Sequence, residues 1–191
     1  MNIGIVSAST RLNRLSHRVA LGLQKWIESS SSHQATVIDL SAYQLPVFEE
    51  VLHRHPNPPE ALLQFAEQIR SADAFLFVSP EYNGSYTSAL KNAVDYLKEN
   101  EFNQKVIGVV SVTTGPLGGI RAAISMQQLV LGIGGYPIPQ MLPVGSVATR
   151  FDETGNLTDP AFEKNIQTFL RHFTWLAEAV NDKKEAAVTV S

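Results

Sequence analysis

Cysteine is missing from this sequence altogether. Its absence excludes disulfides, thiol nucleophiles and sulfur-ligated metal sites, and it fits a reducing, cytoplasmic setting. A surplus of positive charge is missing too. Fifteen lysines and arginines face eighteen acidic residues, a formal net charge of −3, so the chain lacks the basic surface that nucleic acid requires. No apolar run approaches the roughly 18 residues needed to cross a membrane. Met1-Asn2-Ile3-Gly4-Ile5-Val6 reads as a strand and not as a leader, because no basic stretch precedes a long apolar one. Neither Gly-Lys-Ser nor Gly-Lys-Thr occurs, which argues against a nucleoside triphosphatase. No Gly-x-Ser-x-Gly elbow marks a serine hydrolase. Internal repeats, low-complexity tracts and domain linkers are absent as well.

What is present is a chain of 191 residues, 44% hydrophobic, enough for one domain with a sizeable core. Strand and helix patterns alternate. Apolar runs predict strands over Asn2–Ser7, Ala35–Leu40, Ala74–Ser79, Lys105–Val112 and Ile138–Val144. Between them lie helical periods: Ser16 to Ser30, a helix through Leu62, Ala66 and Ile69, one carrying Leu90, Ala93, Val94 and Leu97, and Gly118 to about Gly132. Asp159-Pro160 starts a last helix with Phe162, Ile166, Phe169, Phe173 and Val180 on one face. Tyr43 to Pro59 is a proline-bearing surface loop, and Phe151 to Leu157 is rich in turns. Residues 1–180 form one domain, and Asn181 to Ser191 is polar and expected to fray. The alternation predicts an α/β, flavodoxin-like three-layer sandwich with a five-stranded parallel sheet of order 2-1-3-4-5.

In that order the loops after strands one, three and four meet at the carboxyl edge, where such sheets bind ligands. The first loop, Ser7 to Ser16, offers hydroxyls, amides, Arg11 and Arg14 to an anion at a helix start; it can equally be a serine-rich cap. The second, Pro80-Glu81-Tyr82-Asn83, follows a buried strand with a flat ring and an amide. Its bland reading is a turn with Ser85 or Ser88 capping the next helix. The third, Thr113-Thr114-Gly115-Pro116-Leu117-Gly118-Gly119, has three glycines that let backbone N–H groups approach a ligand. The tyrosine and asparagine of the second loop suit a planar, hydrogen-bonding ring better than a metal or a peptide. His53 and His55 stand two apart in a polar loop, and His17, His33 and His172 are isolated. Glu81 and Asp95 are the acidic residues that could be read as a pair.

At these residues the sequence resembles the NAD(P)H-dependent FMN reductases, flavodoxin-like quinone, azo-dye and chromate reductases. The likeness rests on Ser9-Thr10-Arg11 with Ser16, on Pro80-Glu81-Tyr82-Asn83 with Leu90-Lys91-Asn92-Ala93-Val94-Asp95, and on Thr114-Gly115 with Gly118-Gly119. The family usually carries Gly where Ala8 stands and often Pro-Gly where Thr87-Ser88 stand. The resemblance implies one FMN per subunit. Ser9, Arg11 and Ser16 would hold its phosphate. Pro80, Glu81, Tyr82 and Asn83 would border the ring, and Thr113, Thr114, Gly115, Gly118 and Gly119 would close its other edge. It implies NADPH or NADH as donor, a small-molecule acceptor such as a quinone, free flavin, azo dye or metal oxyanion, and a homodimer or pair of dimers. The surplus of apolar residues between Ile120 and Ile133 points the same way, with Leu90 and Tyr96 as possible contributors. A non-catalytic electron carrier of the same fold is the alternative, and its usual strong acidity is missing here. A phosphoacceptor domain would need acidic residues where Ser7-Ala8-Ser9 stand.

Overall fold

The computed structural model describes residues 1–97 and 99–189. Its elements are β1 (Asn2–Ser7), α1 (Ser16–Ser30), β2 (Gln34–Asp39), α2 (Leu40–Tyr43), α3 (Glu60–Arg70), β3 (Ala74–Pro80), α4 (Ser88–Tyr96), α5 (Glu99–Phe102), β4 (Val106–Val112), α6 (Ile120–Gly132), β5 (Tyr136–Pro137), β6 (Leu142–Val144), α7 (Val147–Arg150) and α8 (Glu163–Thr189). The strands run in parallel in the order β2-β1-β3-β4-β5, with β6 also paired to β4. This is the flavodoxin-like order.

The pleat alternates side chains across the sheet. Ile3, Ile5, Leu76, Val78 and Val110 face α1 and α8, where Val19, Leu23, Phe169 and Phe173 meet them. Phe75, Phe77, Ile107 and Val109 face the opposite layer of α3, α4 and α6, through Phe65, Leu90, Met126 and Val130. Both faces are covered, so the central strands read as unbroken apolar runs.

Three elements differ from expectation. The predicted fifth strand is two short pieces, because Pro137, Pro139 and Pro143 cannot donate to a ladder and confine the segment to an interrupted edge. The segment from Tyr43 to Pro59 is pinned and not merely a surface loop. Asn92 Nδ2 donates to Pro46 O at 2.7 Å, Phe48 N donates to Asn92 Oδ1 at 2.8 Å, and Tyr96 Oη donates to Val47 O at 3.1 Å. From Asn181, where fraying is expected, α8 continues to Thr189. Its glutamates, lysines and alanines are good helix formers, and extending a packed helix needs no new nucleus. Residues 190 and 191 lie outside the described residues.

Candidate active site

β1, β3 and β4 end in register: Ser7 pairs with Val78, and Pro80 with Val112. The chain leaves all three at one edge, around a cleft of about 380 Å³. Ser9, Arg11, Ser16, Pro80, Glu81, Tyr82, Thr113 and Thr114 line it, all of them picked out by the sequence. Leu12, Asn13, Arg14, Leu15, Val112 and Val147 complete its walls.

The floor is the start of α1. Leu15 occupies the cap position without capping through a side chain. Ser16 Oγ is buried and finds no hydrogen-bond partner among the described residues. Ser9, also buried, has its Oγ 3.2 Å from Tyr82 Oη and 3.5 Å from the Arg11 backbone N–H. The Arg11 guanidinium is exposed and hangs 5.6 Å from the centre of the Tyr82 ring. Arg14 does not offer itself to a ligand. It forms a bidentate pair with Asp39, and its Nη1 donates to Ser9 O at 2.7 Å, so it anchors the loop to the end of β2. Burial alone would raise the Asp39 carboxyl, but the donors of Arg14 and Ser41 outweigh it and hold it below the usual carboxylate range. His17 lies at the rear of the floor, with Nδ1 3.0 Å from Ser7 Oγ. Burial, and then the charge of Arg14, lower its pKa against a smaller opposing pull from Asp39.

The second loop is a two-residue hairpin. Tyr82 N donates to Ser85 O at 2.8 Å and Ser85 N to Tyr82 O at 3.0 Å. Between them Asn83 and Gly84 have φ of 52° and 82°. Two successive positive φ values make a type I′ turn, for which Asn-Gly is a favoured pair. Asn83 is exposed, does not line the cleft, and is placed by the turn. The Asn-Gly dipeptide was a readable hairpin signal. The cap of α4 is Thr87, not Ser85 or Ser88: its Oγ1 accepts from Leu90 N at 3.1 Å. The same hydroxyl donates to Ala8 O at 2.7 Å, which ties the start of α4 to the end of β1.

The third loop is held from behind. Thr113 N donates to Val144 O, Ser146 N to Gly115 O and Val147 N to Thr113 O. Ser111 Oγ, buried at the end of β4, donates to Gly118 O at 2.6 Å. Gly118 packs against Pro143, where a Cβ would come within 2.7 Å. Gly115 and Gly119 line a neighbouring apolar hollow with Leu117 and Ile120, outside the main cleft. Sequence reasoning missed the brace of Gly145, Ser146 and Val147, which carries no motif. It also missed Ser111, whose signal was a lone hydroxyl at the end of an apolar strand.

Comparison with known proteins agrees with this geometry. Residues 1–149 match the family described as NADPH-dependent FMN reductase. The chain belongs to this family. A quinone reductase of Pseudomonas putida is 32% identical over 92% of the chain and 94% of its own length. An NAD(P)H-dependent FMN reductase of Pseudomonas aeruginosa is 33% identical over 66% of the chain and 70% of its own. In three dimensions the flavoenzyme NAD(P)H:(acceptor) oxidoreductase FerB of Paracoccus denitrificans superposes with a TM-score of 0.77 and 25% identity, covering 93% of the chain and 97% of its own. The chain is therefore an oxidoreductase of the type that uses FMN as flavin and NAD(P)H as electron donor. The floor fits that cofactor: an uncapped helix start and a buried, unpartnered serine hydroxyl are what a phosphate would satisfy.

Proposed function

We propose that the cleft binds FMN with its phosphate over the start of α1 and its ring between the Pro80–Tyr82 wall and the Thr113–Thr114 wall. Ser9, Arg11 and Ser16 take the phosphate. The observation that carries this reading is the Ser16 hydroxyl, buried without a partner among the described residues in the cleft that the exposed Arg11 also lines. A buried polar group without a partner costs about 1–3 kcal/mol, and a bound phosphate removes that cost. Bound there, FMN supplies two-electron transfer from NAD(P)H to a small acceptor, for which a quinone is the first candidate, after the names of the relatives. The protein orients the ring and leaves one side open to flat acceptors. Titration of the cofactor-free chain with FMN and with riboflavin, followed by flavin fluorescence, tests the phosphate reading. FMN should bind and riboflavin should bind far more weakly; equal affinities refute it. Steady-state oxidation of NADPH and NADH against a quinone, free flavin, an azo dye and chromate then ranks donors and acceptors. Parallel lines in the double-reciprocal plots are expected, because donor product and acceptor would use one ring face in turn.

A homodimer is part of the proposal, carried by α6. Ile120, Ile124 and Leu131 form one exposed stripe on it, the last 65% exposed, while Val130 is fully buried in the subunit. Leu90 and Tyr96 of α4 do not join that stripe: both are buried in the subunit's own core. Light scattering at micromolar concentration should report twice or four times the mass of one chain, and a monomer would remove the dimer.

A further inference from the structure

Glu81 belongs to the Pro80–Tyr82 wall of the cleft, and its carboxylate is engaged away from the cleft. Oε1 accepts from Arg121 Nε at 3.0 Å and from Arg121 Nη2 at 2.7 Å, and Oε2 accepts from the Ala122 backbone N–H at 3.4 Å. The Glu81 side chain is 12% exposed, against 72% for Arg121. α6 needs such a partner. Its cap position is Gly119, left-handed at φ 75°, which has no side chain to accept from the first turn. Glu81 reaches over from the loop after β3 and takes that place, with its charge at the positive end of the helix. Other contacts bring the same parts together. Glu81 N donates to Val112 O at 3.3 Å. A Cβ on Gly119 would lie 3.1 Å from Glu81 Cβ, and one on Gly84 would lie 3.7 Å from the Arg121 guanidinium carbon. The carboxylate thus ties the loop after β3 to the start of α6; the Arg121 that it holds lies beside Gly84 of the Tyr82–Ser85 hairpin, and the Glu81 backbone and Cβ meet the end of β4 and Gly119.

We propose that Glu81 is a positioning residue, whose carboxylate sets the spacing of the two walls that hold the flavin ring without contacting the ring. The proposal rests on the FMN reading of the cleft. Removing either partner leaves the other charge unpaired. Glutamine at position 81 keeps an acceptor for Ala122 N and loses the charge and both hydrogen bonds from Arg121.

The test uses Glu81→Gln, Arg121→Met and the double variant in the full chain. Amide exchange of the cofactor-free proteins, read by mass spectrometry, should be at least threefold faster in both Tyr82–Ser85 and Thr113–Ala122 in each single variant, and unchanged at the start of β1. FMN should bind about tenfold more weakly, the visible spectrum and midpoint potential of the bound flavin should shift, and the double variant should be no worse than either single one. Parent-like exchange in the two loops overturns the proposal. So does a lowered melting temperature with parent-like FMN affinity, spectrum and potential. If Glu81→Gln does not fold, Arg121→Met, altered at an exposed side chain, decides alone. A parent chain that does not bind FMN refutes the cofactor reading, and the exchange measurement then decides the latch by itself.

Discussion

At the edge where the strands begin, Asn2 N donates to Asp73 Oδ2 at 2.7 Å, Asn2 Nδ2 to Ser71 O at 2.9 Å, and Lys105 Nζ to Ile69 O at 3.0 Å. At the edge where they end, Ser16 Oγ has no partner among the described residues, Arg11 is exposed, and α1 starts uncapped. Left-handed backbone is unevenly shared as well. Asn13, Asn83, Gly84, Gly118, Gly119 and Ser146 have positive φ around the carboxyl edge, against Gln104 and Gly134 near the amino edge. Both edges belong to one sheet with one core, so burial does not separate them. Buried atoms without a partner among the described residues occur at both edges, Ser16 Oγ at the carboxyl edge and His33 Nδ1 and Glu101 Oε2 at the amino edge. What sets the carboxyl edge apart is an exposed arginine, an uncapped helix start and left-handed turns around a cleft, as expected where a ligand completes the structure.

The largest effect that would sharpen this contrast is expected at Gly145. An alanine there drives Cβ into Pro116 O and to within 2.8 Å of Gly115 O, which pushes the Thr113–Thr114 wall aside. A displacement of about 1 Å can cost 10²-fold in rate, so Gly145→Ala should lose about that much NADPH oxidation per bound flavin. Parent-like turnover would show that the wall is not rigid. Next comes Arg11→Ala, which on the proposed reading of the cleft removes a charge-assisted bond to the phosphate. FMN affinity should fall at least tenfold, or about 1.4 kcal/mol, with no change in the melting temperature of the cofactor-free chain. Equal affinity would take Arg11 out of the site.

Asn83 separates turn geometry from ring contact. Asn83→Ala forces a side chain without local hydrogen bonding into a left-handed position, at a cost of about 1–2 kcal/mol, while Asn83→Gly keeps the turn. Thermal unfolding should drop by about 2–4 °C per kcal/mol for the alanine variant, and turnover per bound flavin should stay at the parent level in the glycine variant. Lost turnover in Asn83→Gly would restore the amide as a ring ligand. At the amino edge, Lys105→Met should cost about 1 kcal/mol and leave FMN affinity untouched. Burial, and then the charge of Lys184, push the Lys105 ammonium down to about 8 from 10.5. The folded chain therefore gives up that proton above about pH 8 while the unfolded chain holds it to about 10.5, so between those values the parent should gain stability as pH rises, a gain that the variant lacks. A fall in FMN affinity would break the separation of the edges.

The smallest effect belongs to His17. Its folded pKa lies below the ordinary 6.5, so the unfolded chain takes up a proton that the folded chain resists as pH falls through that value. Stability should decline below about pH 6.5, and His17→Gln should flatten the decline while keeping an acceptor for Ser7 Oγ. Denaturant unfolding of the cofactor-free chain at pH 7.5 and 5.5 checks it; parallel losses in both proteins would remove His17 as the cause.

The sequence by itself determined the layers, the strand order and the three loops of the site. Apolar period is a local property, and with right-handed crossovers it leaves few topologies. It also contained the Asn83-Gly84 turn and the Asp159-Pro160 helix start, the latter seen in the Asp159 carboxylate accepting from Ala161 N at 3.1 Å. Which polar side chains stay free was decided only in three dimensions. Arg11 and Arg14 are alike in sequence, yet Asp39, twenty-five residues away from Arg14, engages one and leaves the other. Glu81 and Arg121 meet across forty residues, and Asn92 is taken up by Pro46 and Phe48. Such pairings depend on distance and burial between segments remote in the chain. No spacing or composition encodes them, because the partner is fixed by how the layers pack.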